Sequence, residues 1–168
     1  MNTVATFMKV SFSEYKKAME KYFKFSSEEI KEFYDNIVLP KRATVGSAGY
    51  DFKVPFSLKI KPQETILIPS GIRCKMCDGW VLLMFPRSGL GFKYRLQLDN
   101  TIGVIDSDYF NSDNEGHIMI KLTNDTNENK TIELDKNQGV CQGIFIPFGI
   151  TSDDDVINIR NGGFGSTN

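Results

Sequence analysis

The sequence predicts an all-β domain of the sandwich or barrel type, with a short helical segment near its N-terminus. Three observations carry this expectation. Beyond Pro40 the apolar residues recur with a period of two instead of three to four. The runs are short, and each is bounded by Gly, Pro, Asn or Asp. No long helical patterns alternate with them, which argues against a Rossmann-like parallel sheet.

Residues 3–10 alternate loosely and read as a first strand. Phe12, Tyr15, Ala18, Met19, Tyr22 and Phe23 then recur at spacings of three and four, with Lys16, Lys17, Glu20 and Lys21 filling the gaps. Ser13 is the expected N-cap. A second helix begins at Ser26 or Ser27, carries Ile30, Phe33, Tyr34 and Ile37 on one face, and stops before Pro40. Two short amphipathic helices therefore occupy roughly 12–37. The expected strands that follow are 49–54, 56–60, 64–68, 71–76, 79–85, 94–98, 117–123, 130–134 and 141–148. Residues 111–116 and 124–129 are polar turn clusters, and 160–168, with glycines at 162, 163 and 165, cannot be a core strand.

Composition narrows the chemistry. The 168 residues suit one domain, expected over 1–159, with 160–168 as a tail. Twenty Lys and Arg oppose 21 Asp and Glu, a net charge of −1 that speaks against a broad cationic surface for nucleic acid. No apolar run has the length of a membrane span or signal peptide, so a cytoplasmic protein without a membrane partner is expected. A single histidine, His117, excludes a multi-His metal site and most Ser-His or Cys-His dyads. Cys74, Cys77 and Cys141 are odd in number and fit a reducing compartment. Cys74 and Cys77 have zinc-knuckle spacing but lack a second ligand pair.

Five segments have the residue types of a site. Gly46 to Asp51 ends small residues in a carboxylate. Pro86-Arg-Ser-Gly-Leu-Gly91 combines the components of an anion nest without the spacing of a P-loop. In Asn100 to Tyr109, an extended backbone would aim Asp106 and Asp108 to one side, one as base and the other positioning it or a metal's water shell. Gln142 stands at the start of a buried strand. Arg160, Phe164, Gly165, Ser166 and Thr167 suit a flap over a polyanion.

Taken in order, Ala48-Gly-Tyr-Asp-Phe52, Pro86-Arg-Ser-Gly-Leu90, Gly103-Val-Ile-Asp-Ser-Asp-Tyr109, Gln142, and Arg160 with Gly162-Gly-Phe-Gly-Ser-Thr167 resemble the five motifs of the trimeric dUTP pyrophosphatases (dUTPases). The resemblance runs from about Pro40 to the C-terminus. It implies a jelly-roll β-sandwich with 12–37 as an insertion, a homotrimer whose sites are shared between chains, and Mg²⁺-assisted hydrolysis of dUTP to dUMP and diphosphate. That reaction keeps uracil out of DNA and supplies dUMP. By the motif match Asp106 activates the attacking water and Tyr109 packs beneath the deoxyribose. Asn100, Gly103, Val104 and Ile105 read uracil in a hairpin that Met119 closes. Arg87, Ser88, Gly89 and Gln142 hold phosphates, and Asp51 reaches Mg²⁺ through water. The tail brings Arg160, Gly165, Ser166 and Thr167 to the γ-phosphate and stacks Phe164 on the base.

The chain also departs from the pattern. Gly139 stands where the family usually has Arg, and residues 110–115 look inserted. The nearest rival, a dCTP deaminase of related fold, would need a proton-shuttling carboxyl beside the base, and residues 116–124 contain no Glu. A non-catalytic regulatory homologue is the other alternative, with 12–37 as a possible surface for a protein partner. The presence of Asp106 and of the tail motif favours the enzyme.

Overall fold

The computed structural model describes residues 2–158 and 160. Among these, the strand pairings are all antiparallel. A five-stranded sheet runs in the order β2 (Lys41–Arg42), β3 (Tyr50–Lys53), β12 (Gly139–Pro147), β7 (Trp80–Pro86) and β9 (Gly103–Ile105). A second sheet places β10 (Met119–Asn124) between β5 (Thr65–Pro69) and β8 (Leu96–Leu98). Two strand pairs complete the sandwich: β1 (Ala5–Lys9) with β6 (Ile72–Met76), and β4 (Leu58–Ile60) with β11 (Ile132–Leu134). Alternation along the strands turns Phe52, Ile60, Ile68, Leu82, Leu122 and Ile132 into one fully buried core. Each such side chain contributes about 1.5–3 kcal/mol through its removal from water.

Most of the expected strands form, within a residue or two at each end. The short β2 and β9 were not expected, because two or three residues cannot display a period of two. The segment after Pro86 is not a loop leading into a strand at 94 but a helix, α3 (Ser88–Tyr94), and β8 starts only after Arg95 reverses the chain at φ 55°. Residues 107–111 are not extended either. Asp106 keeps an extended backbone, and a 3-10 helix starts at Ser107.

The helical segment forms as α1 (Phe12–Tyr22) and α2 (Ser27–Asp35). Ser11, not Ser13, caps α1: its backbone is extended, and its Oγ accepts the Glu14 N–H at 3.1 Å. Ser13 already lies in the first turn. Ser26 and Glu29 form a reciprocal capping box on α2. That helix ends ahead of Pro40 because the Asn36 side chain donates to Glu32 O at 2.8 Å. The helices have a core of their own, in which Tyr15, Met19, Ile30 and Phe56 are buried. Phe56 stands 4.9–5.3 Å, ring to ring, from Phe23, Phe25 and Phe33.

His117 lies where this helical unit meets the sandwich, fully buried. Its Nε2 accepts the Gly71 N–H at 2.9 Å, which assigns the ring proton to Nδ1, and Nδ1 donates to Glu14 Oε1 at 3.3 Å. The pair is therefore a hydrogen bond from a neutral imidazole to the Glu14 carboxyl and not an ion pair. Burial holds the His117 pKa down to about 4, with the Glu115 carboxylate opposing. Burial raises Glu14, with Lys17 opposing and Glu115 adding to the rise.

A depressed histidine pKa gives stability that is complete above the unfolded value of 6.5 and is lost as pH falls toward 4, on the order of 3 kcal/mol in full. The raised Glu14 has the opposite sign and offsets part of this. In urea titrations, the stability advantage of wild type over His117→Gln should therefore shrink by more than about 1 kcal/mol between pH 7.5 and pH 5. Parallel pH dependences would contradict a neutral buried imidazole.

Candidate active site

The chain leaves one sheet and enters the other between β8 and β9. β8 pairs with β10, whereas β9 pairs with β7, Met84 opposite Gly103. The connection is tight: Thr101 adopts φ 64°, its N–H donates to Leu98 O at 2.9 Å, and Ile102 N–H donates to Asn100 O at 2.6 Å. Gly103 fits closely here: a Cβ would stand 3.0 Å from Met84 Cβ, so one of the two strands would have to give by a few tenths of an ångström. Among the described residues β9 is the edge of its sheet, so one row of its backbone N–H and C=O groups has no strand neighbour.

A cavity of about 680 Å³ opens between this connection and β10. Its walls include Asn100, Gly103, Val104, Ile105, Asp106, Tyr109, Met119 and Arg160, so eight residues singled out from sequence meet at one place. Met84, Ile118 and Ile120 give it an apolar back. Tyr109 is almost wholly buried; its hydroxyl donates to His117 O at 2.8 Å and accepts from Asn114 Nδ2 at 2.8 Å. Burial raises its pKa, so it is a phenol at neutral pH.

Asp106 and Asp108 do converge, although not through an extended backbone. Arg160 bridges them, Nη2 donating to Asp106 Oδ2 at 2.6 Å and Nε to Asp108 Oδ1 at 2.8 Å. Its guanidinium lies 6.0 Å from the Tyr109 ring centroid. The rest of the tail motif, Phe164, Gly165, Ser166 and Thr167, lies outside the described residues.

The remaining expected residues form a second group that does not line the cavity. Arg87 follows β7, its Nε 3.4 Å from Asp51 Oδ1. Gln142 on β12 stands opposite Asp51 of β3 and Phe85 of β7. Ser88 and Gly89 form the first turn of α3 beside Arg87, which is its N-cap. Gly139 has a clear role: a Cβ there would come within 2.5 Å of Arg87 Nη1 and 3.1 Å of its Cδ. The Arg87 side chain thus covers the position from which the family's usual arginine would reach.

The donor set fits magnesium held mainly by a polyphosphate. Asp51 offers a hard carboxylate oxygen with its side chain 23 % exposed, enough for contact through water. Among the described residues no group of three His, Cys, Asp or Glu is placed to hold a metal by itself. The Cys74–Cys77 spacing does not converge: Cys74 is buried in β6, with its pKa pushed up by burial to about 12, while Cys77 is exposed beyond the strand end. Among the described residues no helix is long and apolar enough to cross a membrane.

Two polar lining residues were missed. Asp99 accepts from Lys121 at 2.8 Å, and both line the cavity. Burial works against the Asp99 carboxylate, but hydrogen bonds from Lys121 and Thr123 outweigh it and hold the pKa below its ordinary value. The only signal was the position of Asp99 next to Asn100.

The family model for dUTPase matches residues 35–168. The deoxyuridine 5'-triphosphate nucleotidohydrolase of Lactococcus lactis subsp. lactis is 44 % identical over 134 residues, covering 78 % of this chain and 88 % of that protein. The crystal structure of dUTPase from Streptococcus mutans superposes with a TM-score of 0.64 at 35 % identity, over 87 % of this chain and 98 % of that one. A dUTPase of Staphylococcus bacteriophage 80alpha, solved with dUpNHpp, shares the fold at a TM-score of 0.64 and 19 % identity, over 96 % of this chain and all of that one. The sandwich is thus the dUTPase jelly roll, and α1 precedes the matched residues. With the pattern continuing from residue 35 to the last residue, and a relative of this identity matched over most of its length, the chain belongs to the dUTPase family.

Proposed function

We infer that the chain hydrolyses dUTP to dUMP and diphosphate. The observation that carries this is the cavity itself, where a glycine-tight edge strand, a buried tyrosine and the carboxylate of Asp106 share one wall. The edge groups of Gly103 to Ile105 and the Asn100 amide offer the alternating donors and acceptors that a uracil edge needs, and the tight turn leaves no room for a 5-methyl group. Tyr109 lies where it would pack beneath a deoxyribose and collide with a 2′-hydroxyl. Met119 closes the opposite side.

Asp106 is the base. A carboxylate suffices to take a proton from water as its oxygen attacks the α-phosphorus, because positive groups around the phosphates stabilise the developing charge. Arg160 now neutralises Asp106, and a triphosphate that draws the guanidinium to its γ-phosphate leaves the carboxylate available to the water. Gly165, Ser166 and Thr167 join it there, with Phe164 over the base, so that 160–168 act as a lid on the single domain formed by 1–159. Mg²⁺ bound with the triphosphate supplies charge neutralisation, and Asp51 would hold it through water.

Arg87, Ser88, Gly89 and Gln142 bind phosphates. Their separation from the cavity supports a homotrimer in which one chain's phosphate group serves a neighbour's nucleotide cavity.

With Mg²⁺, the purified protein should release diphosphate from dUTP and far less from dTTP, dCTP or UTP. Ammonia release from dCTP would overturn the assignment. Asp106→Asn should lower turnover by at least about a hundredfold while retaining binding of dUpNHpp, measured by calorimetry. Light scattering should report the mass of three chains. Gly139→Ala should shift unfolding free energy by less than about 1 kcal/mol, since the Cβ meets the end of a flexible side chain, yet lower kcat/KM for dUTP by displacing Arg87. A Gly139→Ala enzyme with wild-type kcat/KM would remove Arg87 from the phosphate site.

A further inference from the structure

α1 precedes the residues of the family pattern, yet its first turn is tied to the loop that supports Tyr109. The Ser11 N–H and Oγ donate to the two oxygens of Glu115, at 2.7 and 2.6 Å. From the other direction, Glu14 Oε1 accepts from His117 Nδ1 at 3.3 Å. Helix and loop therefore exchange carboxylates on either side of Gly116.

The loop needs to be held. Glu115 adopts φ 59° and Gly116 φ 70°, so two successive residues are left-handed, one of them carrying a side chain. A Cβ at Gly116 would stand 2.7 Å from both Phe110 Cα and Tyr109 O, so the turn lies directly on the 3-10 helix. Arg73 clamps the other side, its guanidinium 3.6 Å from the Phe110 ring centroid and its Nη2 donating to Phe110 O at 2.6 Å. The Tyr109 hydroxyl donates to the backbone carbonyl of His117, the residue whose ring Glu14 holds.

We propose that Glu14, acting through His117, is a positioning residue for Tyr109, so that the helical insertion sets how firmly the floor of the nucleotide cavity is held. This rests on the dUTPase reading, in which Tyr109 packs beneath the deoxyribose. A floor free to shift loses contact with the sugar in the ground state and the transition state alike, and no longer excludes a 2′-hydroxyl. The signature is thus a raised KM with kcat little changed, together with a narrower preference for dUTP over UTP.

The test uses steady-state kinetics on both nucleotides with the full chain. Glu14→Ala should raise KM for dUTP roughly tenfold and narrow the dUTP/UTP ratio of kcat/KM by a similar factor. Glu14→Asp keeps the charge in the first turn of α1 but falls short of His117; it should show the same change and serves if the alanine variant does not fold. Glu14→Gln still accepts from a neutral imidazole and should restore wild-type constants. Tyr109→Phe should raise KM alone, and adding Glu14→Ala to it should cost little more, because the two act on one contact. Glu29→Ala breaks the α2 capping box without touching Glu14 or His117, and should leave KM and the ratio unchanged.

Unchanged constants in both Glu14→Ala and Glu14→Asp would overturn the proposal, as would an equal effect from Glu29→Ala or full additivity with Tyr109→Phe. A wild-type protein that neither binds nor hydrolyses dUTP would overturn the underlying reading along with it.

Discussion

The arrangement depends on β7 being paired along both edges. Its ladder to β12 runs from Pro86 opposite Cys141 to Trp80 opposite Pro147, and its other edge holds β9 from Leu82 to Met84. One strand therefore fixes the tight connection into β9 and, immediately beyond its own end, Arg87. Leu82 and Met84 are buried, so Leu83, Phe85 and Arg87 fall on the opposite face of an extended run. The period of two separates the β9 edge from Arg87 by face, although only two residues lie between Met84 and Arg87. A site that needs both must bring the second face from another copy, which is the physical basis for expecting shared sites.

The same alternation gathers the group of residues around Arg87. Phe52 and Cys141 are buried, which leaves Asp51 and Gln142 on the outer face with Arg87. Gly139 completes this surface by having no side chain. The missing family arginine is therefore no simple loss, because the space it would leave from is filled by Arg87, and a side chain at 139 would displace it.

On the other face the cavity is buttressed in part by residues that precede those matched by the family model. The helical segment at 12–37 and residues 110–115 look unrelated in sequence. In the structure they are joined through Ser11, Glu14, Glu115 and His117, beneath the tyrosine that lines the cavity. The single histidine, read from sequence only as a limit on catalysis, is a neutral buried strut whose two nitrogens join α1 to the turn before β6.

The amino-acid sequence alone determined the fold class, most strands, both N-terminal helices and eight of the residues that line the cavity. Those depend on local periodicity, turn chemistry and motif order, all of which are written in neighbouring residues. It did not determine the conformation at 107–111, where Asp108 meets Asp106 through Arg160 and a 3-10 turn instead of an extended run. Nor did it show α3, the division of the motifs between two faces, or the partners of Gly139, Glu14 and His117. Apart from the local helix α3, these are contacts between residues distant in sequence, and only the packing of the sheets decides which such residues meet.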